Sequence, residues 1–402
     1  MSSKLLDGVK VVDLTTFVAA PTCCRLLADM GADVIKVETP KGDPTRHNAG
    51  LFEVPSTSEE NPIWEIHNAN KKGIAVNLKE KSGMEIFHKL LSEADVFITN
   101  TRTKALVKLG LDYESLKEKY PKLIFGQVLG YGENGPLKDD PGFDSVAFWT
   151  RTGCLSGLVK EGEYPITAPY AFGDTATGTA LFGGICAALV RQAKTGCGEK
   201  VTVSLYGAGI WYANSLITPA QDCYNVRFPK KREESIPTTC PYKCKDGVWL
   251  MPTIMDHTRL FPLFCKVLGI EEVGKDERYA TPNEVMKNAD TLIPMLEKSF
   301  AAKDSEELLE GMREADIVCT VVNNFNDVTK DEQAWANRYL HEFTFQNGNK
   351  AALPCTPIQT AETEDAEYKR GPRLGEDTQD ILEKLGYTAE EISRLREECV
   401  IA

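Results

Sequence analysis

Histidine is scarce in this 402-residue sequence: five residues, His47, His67, His88, His257 and His341, none at a paired spacing. A histidine-built metal centre is therefore not written into the chain, and the tightest cysteine pair, Cys240-Pro-Tyr-Lys-Cys244, supplies only two of the four ligands a zinc site needs, so no metal is expected. Long apolar runs are missing as well. No window approaches the roughly 18 uninterrupted apolar residues of a membrane span, and the opening Met1-Ser-Ser-Lys-Leu-Leu-Asp7 has no apolar h-region. A cytoplasmic protein with no membrane partner is the expectation. Positive charge is outweighed, since 46 Lys and Arg against 59 Asp and Glu leave a formal charge of −13. Such a field repels nucleic acid and acidic lipid, so any anionic ligand has to be met by a local cluster of cations. Twelve scattered cysteines suit a reducing compartment and buried small side chains rather than a disulfide framework. Two catalytic signatures are absent too. Thr15-Thr-Phe-Val-Ala-Ala-Pro21 stands where a dinucleotide-binding protein carries G-x-G-x-x-G, and no G-x-S-x-G nucleophile elbow occurs.

What is present is a repeating alternation of strands and helices. Val9–Leu14 reads as a strand, Pro21–Met30 as a helix stopped by Gly31, and Val34–Glu38 as the next strand. Ile74–Leu78, a helix near Ser82–Ser92, Val96–Thr99, a helical stretch near Tyr113–Tyr120 and Leu123–Val128 continue the pattern. This predicts an α/β fold with a doubly wound, Rossmann-like large domain and parallel strands. A long helix from Thr175 to Lys194, rich in Ala, Gly and Thr, implies close packing on a neighbour; Val201–Leu205 is a strand and Tyr206–Tyr224 a further helix. At Asn225 the composition turns to charge and proline, which marks a linker into a smaller α+β domain. The expected organisation is 1–224 large domain, 225–326 small domain, and 327–402 a return segment completing the large domain.

Within this frame Asp174 stands out. It sits in Phe172-Gly-Asp-Thr-Ala176 at the start of the small-residue helix, where Asp is most simply a helix N-cap. The helix amino end favours a charged carboxylate, so Asp174 is expected to be ionised at neutral pH. If water is excluded and an activated acyl group such as a thioester is presented, the same carboxylate can act as a nucleophile.

A series of motifs spans nearly the whole chain. It runs from Gly8-Val-Lys-Val-Val-Asp-Leu14 and Pro21 through Gly31-Ala-Asp-Val-Ile-Lys-Val-Glu38, Gly42-Asp-Pro-Thr-Arg46 and Asn70-Lys-Lys72 to Asn100-Thr-Arg102. Leu109-Gly-Leu111, Gly130-Tyr-Gly132, Pro141-Gly-Phe-Asp144, Gly173-Asp174, Leu374-Gly-Glu-Asp-Thr378 and Leu385-Gly-Tyr387 follow in order. Together these resemble the family III CoA-transferases, the formyl-CoA and carnitine-CoA transferase family. The resemblance implies an enzyme with no permanently bound cofactor, coenzyme A thioester as substrate, and two subunits interlocked as rings in a homodimer. It implies that Asp174 is the catalytic aspartate, forming an aspartyl-CoA thioester, with Asp144 and Gly173 assisting. It places CoA along Val18, Ala19, Val76, Asn77, Leu78, Lys79, Asn100, Thr101, Arg102, Lys108, Gly142 and Phe143, with Lys79 and Lys108 available to phosphates. Thr103–Glu114, Gly130–Pro136 and Asp331–Asn337 look most like enzymes of amino-acid-fermenting anaerobes, among them leucine degraders. Those move CoA to 2-hydroxy acids such as (R)-2-hydroxyisocaproate or (R)-phenyllactate.

The chain also departs from family patterns. Thr39 stands where formyl-CoA transferase has an arginine, Val18 where it has a glutamine, and no glycine-rich lid lies between Asn225 and Trp249. A less polar pocket is implied. The related α-methylacyl-CoA racemases carry Gly-His-Asp where Gly142-Phe-Asp144 stands, and phenylalanine cannot exchange a proton. Transfer to a carnitine-type or dicarboxylate acceptor, racemisation, and non-catalytic CoA binding with Asp174 as a mere cap are the alternatives.

Overall fold

The computed structural model describes residues 4–361 and 368–402, so Met1–Ser3 of the opening segment lies outside it. The chain forms two compact units: Met1–Leu155, Thr167–Gln221 and Trp335–Ala402 in one, Ser156–Ile166 and Asp222–Ala334 in the other. The Ser156–Ile166 excursion was not part of the sequence expectation.

The larger unit is built on six parallel strands, β1 (Lys10–Leu14), β2 (Asp33–Glu38), β3 (Lys72–Ala75), β4 (Val96–Thr99), β5 (Ile124–Leu129) and β6 (Lys200–Ser204). They lie in the order β3-β2-β1-β4-β5-β6, the Rossmann order that leaves a crevice beyond the carboxyl ends of β1 and β4. β4 and β5 are buried along their whole length, as strands covered on both faces must be. On one face Phe97 and Phe125 join Phe87 and Leu90 of the helix Lys81–Glu93, and Ile381, Leu382 and Ile392 of the return segment. On the other face Gly126 leaves room for Ile185 of the 24-residue helix Phe172–Thr195, since a Cβ there would stand 3.0 Å from the Ile185 Cδ1.

The small-residue composition of that helix has a steric reason. A Cβ on Gly178 would meet the carbonyl oxygen of Ala19 at 2.3 Å and the Cβ of Thr22 at 2.7 Å, so the helix Ala19–Asp29 packs backbone-close against it. By length and composition alone Phe172–Thr195 could cross a membrane, the one such helix among the described residues. Its amino end carries Asp174, which ties it to the polar crevice instead.

Two sequence boundaries shift. β3 ends at Ala75 rather than Leu78, because Val76 bridges Ile401 and the Asn77 N–H donates to the Val400 carbonyl at 2.7 Å. The expected helix Tyr206–Tyr224 stops at Tyr212 and resumes only for Asn214–Ile217.

The smaller unit contains a three-stranded antiparallel sheet of β7 (Tyr242–Lys243), β8 (Trp249–Thr253) and β9 (Val318–Val321) with helices His257–Val267, Ala289–Phe300 and Ser305–Glu314. Its core is aromatic, Tyr242 stacking on Phe300 at 4.7 Å.

The return segment adds a hairpin, β10 (Leu340–Thr344) with β11 (Lys350–Pro354), and the helices Thr378–Lys384 and Ala389–Glu397. It is fastened to the large unit by Trp64 and Arg46, which donate to the Pro372 carbonyl at 3.2 and 3.0 Å, and by Asp377, which accepts from the Gly73 N–H at 2.8 Å.

Candidate active site

The loops after β1 and β4 meet at the crevice. Asn100 holds the first loop at two points, accepting from the Thr16 N–H at 2.9 Å and donating to the Thr16 carbonyl at 2.7 Å. These two bonds use one of the two N–H groups and one lone pair of the amide, so Asn100 both fixes the loop and lines the crevice. Phe17 follows with φ of 63°, a left-handed conformation unusual for a bulky residue. What supports it is a buried ionic scaffold. Asp43 accepts from the Phe17 N–H at 3.3 Å and pairs with Lys36 at 3.0 Å, while Lys36 donates to the Thr15 carbonyl at 2.9 Å. Asp13, next to the carboxyl end of β1, pairs with Lys71 at 2.9 Å. Burial opposes both charges, yet the opposite charges outweigh it: Asp13 is held below its ordinary value by Lys71 and Lys36, and Lys36 above its own by Asp13, Asp43 and Glu38. The loop rests on groups that stay ionised.

At the amino end of the Phe172–Thr195 helix the cap is Ala171, in the left-handed region at φ 57°, and Asp174 lies in the first turn. Asp174 is thus not the N-cap. That work falls to Asp144, whose Oδ2 accepts from the N–H groups of Gly173 at 3.1 Å and Asp174 at 3.4 Å. Asp144 itself opens the π-helical stretch Asp144–Thr150 after Phe143, and its buried Oδ1 has no partner among the described residues. Gly173 is required here, because a Cβ would stand 2.3 Å from the Phe148 ring and 2.4 Å from the Asp144 Oδ1.

The Asp174 side chain makes no hydrogen bond or ion pair among the described residues. Burial, and after it the neighbouring Asp144 carboxylate, pushes Asp174 up from 3.8 to about 7. Desolvation therefore beats the helix amino end, and the expected full ionisation at neutral pH is corrected to about half. Asp144 is also raised by burial, against the pull of the two backbone N–H groups.

Three adjoining cavities, all within the larger unit, form a chain that reaches this carboxylate through the second and third. The first, about 250 Å³, is walled by Val76, Asn77, Leu78 and Lys79. Through Thr16 and Thr101 it shares a wall with the second, about 550 Å³, which takes in Ala19, Asn100, Arg102, Lys108, Gly142, Phe143 and Asp174. Phe17, Phe143 and Asp174 also border the third, about 400 Å³, lined by Val18 and Asp144. All the sequence-selected side chains except the buried Gly173 thus line one chain of cavities, but Val18 and its neighbour Ala19 face different chambers. Lys104 and Lys138 were missed, and they join Arg102 and Lys108 on the second cavity. Lys104 pairs with Asp139 at 2.9 Å, whereas Arg102, Lys108 and Lys138 make no ion pair among the described residues. This is the local cluster of cations that an acidic protein needs for an anionic ligand. The signal was available as Thr103-Lys-Ala-Leu-Val-Lys108, two lysines one helical turn apart. Missed as well were Phe17, Phe52 and Tyr170, which sequence alone does not bring together. No group of three or more His, Cys, Asp or Glu among the described residues is placed to hold a metal ion.

Comparison with known proteins agrees with this geometry. The chain is 41% identical over 398 residues, 99% of both proteins, to (R)-2-hydroxy-4-methylpentanoate CoA-transferase of Clostridioides difficile. It is 40% identical to cinnamoyl-CoA:phenyllactate CoA-transferase of Clostridium sporogenes, over 99% of this chain and 97% of that one. A CAIB/BAIF family protein from Brucella suis superposes with a TM-score of 0.79 at 28% identity, covering 95% of this chain and 100% of the other. The pattern of CoA-transferase family III matches residues 6–378, and with a carboxylate set in a cation-flanked crevice the chain belongs to that family and is a CoA-transferase.

Proposed function

We propose that this enzyme transfers coenzyme A from an acyl-CoA to a 2-hydroxy carboxylic acid through covalent chemistry on Asp174. The observation that carries the proposal is an unpaired, largely desolvated carboxylate bordering both a cation-lined cavity and a less polar one. In this reading Val76–Lys79 border the adenosine part of CoA, and Arg102, Lys108 and Lys79 meet its phosphates. The pantetheine passes Thr101, Ala19, Gly142 and Phe143. The thioester arrives beside Asp174.

The Asp174 carboxylate attacks the thioester carbonyl, the C–S bond breaks, and a mixed anhydride and CoA thiolate form. The thiolate then attacks the aspartyl carbonyl, releasing the donor acid and leaving aspartyl-CoA thioester. The acceptor carboxylate attacks this thioester, regenerating thiolate and a new anhydride. Attack of thiolate on the acceptor acyl carbon yields the new acyl-CoA and restores Asp174. One carboxylate enters and one leaves, so no oxidant and no metal is consumed. A carboxylate raised to about 7 is both more nucleophilic than a solvated one and less costly to carry in the resting site. Asp144 serves by fixing the helix end and therefore the position of Asp174.

The two relatives near 40% identity act, by name, on 2-hydroxy-4-methylpentanoate and phenyllactate, which supports a 2-hydroxy acid here; a place in amino-acid fermentation in the cytoplasm belongs to the same proposal. The third cavity has no Lys or Arg in its lining, which disfavours a dicarboxylate acceptor, and Phe143 in place of a base disfavours racemisation. We also propose the interlocked homodimer. Trp211 and Tyr212, neighbours at the end of one helix of the larger unit, are 72% and 53% exposed in the single chain, apolar surface that a partner subunit would cover.

The test is direct. The protein is incubated with an acyl-CoA and a 2-hydroxy acid, quenched, digested and examined by mass spectrometry. CoA is expected on the peptide holding Asp174, with neither adduct nor transfer in Asp174→Ala. Retained turnover in that variant defeats the mechanism.

A further inference from the structure

The third cavity has a character the covalent chemistry does not explain. Four aromatic rings line it: Phe17, Phe143, Phe52 and Tyr170. They stand as two edge-to-face pairs, Phe17 on Phe143 with centroids 5.9 Å apart and Phe52 on Tyr170 at 5.7 Å. Neither pair is a closed core contact, since Phe143 and Tyr170 remain 59% and 63% exposed. Two polar side chains of the lining, Asn48 and Ser145, make no hydrogen bond among the described residues. A cavity of about 400 Å³ falls within the roughly 300–1,000 Å³ of ligand pockets, which combine apolar walls with a few polar groups that orient the ligand.

Resting on the proposed CoA transfer at Asp174, we propose that this cavity selects the side chain of the acid, and that it is built for an arylmethyl group in preference to a branched aliphatic one. Edge-to-face aromatic pairs with unfilled faces accept a further ring at the same 4.5–7 Å spacing, an interaction that an isobutyl group does not reproduce. Asn48 and Ser145 supply the hydrogen-bonding groups for the 2-hydroxyl. The occupant is therefore a 2-hydroxy-3-arylpropanoate. Phe52 and Tyr170 are its specificity-determining residues, and neither takes part in bond making.

The experiment uses identity exchange, which needs no outside donor. The enzyme is given 2-hydroxy-3-phenylpropanoyl-CoA with the ¹³C-labelled free acid, and separately 2-hydroxy-4-methylpentanoyl-CoA with its labelled acid. Label entering the thioester is followed. The aryl pair is expected to exchange with kcat/KM about tenfold higher or more, within the 10–200-fold that pocket contacts of this size provide. Tyr170→Leu and Phe52→Leu are each expected to bring that ratio towards one. Tyr170 is exposed enough that its variant tests the idea even if loss of Phe52 disturbs folding. An aliphatic pair that exchanges as fast, a ratio unmoved in both variants, or faster exchange with a trimethylammonium hydroxy acid would overturn the assignment while leaving the CoA adduct on Asp174 intact. Absence of that adduct in the wild type would overturn the parent reading, and this one with it.

Discussion

Replacing Asp174 by Asn removes the proposed nucleophile, and it should also stabilise the protein in a pH-dependent way. The folded carboxyl sits at about 7 against an ordinary value of 3.8. A group raised on folding contributes stability that is fully present below the unfolded value, is lost progressively as pH rises, and is gone above the folded value. At 1.36 kcal/mol per pH unit, the charged, desolvated Asp174 costs the wild type at most about 4 kcal/mol at pH 8. Asn is a permanently neutral isostere and escapes that cost. The difference between variant and wild type should therefore grow by about 3 kcal/mol between pH 5 and 8, with most of the change complete by pH 7. Melting curves across this range would show the variant gaining roughly 3–5 °C at pH 8 relative to pH 5, since the melting entropy grows with chain length. Glu65, another buried carboxyl raised to about 7, titrates in both proteins and cancels in the difference. A difference independent of pH would refute the argument that desolvation governs this carboxylate. So would a variant less stable than wild type at pH 8.

Gly173→Ala should cost about 1–3 kcal/mol, because the new methyl overlaps the Phe148 ring at 2.3 Å and the Asp144 Oδ1 at 2.4 Å. It should lower the rate of adduct formation on Asp174 more than it raises KM for the thioester; unchanged adduct kinetics would show that the helix end does not position the nucleophile. Light scattering should give twice the chain mass of 44.5 kDa at all concentrations at which the protein stays folded. A stable single-chain species would count against the interlocked dimer.

Much of the fold was legible because the relevant signals are local. Buried parallel strands read as apolar runs, so β1, β2, β4 and β5 could be placed within a residue or two, and Gly31 marked the stop between β1's helix and β2. The glycine and alanine content of Phe172–Thr195 foretold close packing, which Gly178 and the Ala19 carbonyl realise. Asp174 stood out by its place at the start of the small-residue helix, and the ordered series of motifs added the expectation that it is a nucleophile. What escaped depends on tertiary placement. Asp144, 30 positions upstream in sequence, supplies the cap that Asp174 was expected to supply. The ionisation of Asp174 was misjudged because a helix end is visible in sequence and loss of water is not. Likewise nothing local shows that Asn100 holds Thr16, 84 positions away, through both ends of its amide. The aromatic lining gathers Phe17, Phe52, Phe143 and Tyr170 from four separate segments, an arrangement no periodicity encodes.

The fastening of the β3 edge has a bearing on how such a subunit comes into being. Gly73 is anchored by Asp377, 304 positions downstream, and the Asn77 amide leans on the Val400 carbonyl. The wall formed by Val76–Lys79 consequently gains its anchor only once the segment around Val400 has packed beside β3. Removing the segment around Val400 takes away that anchor, however complete the loops around Asp174, so this end of the crevice depends on residues remote in sequence.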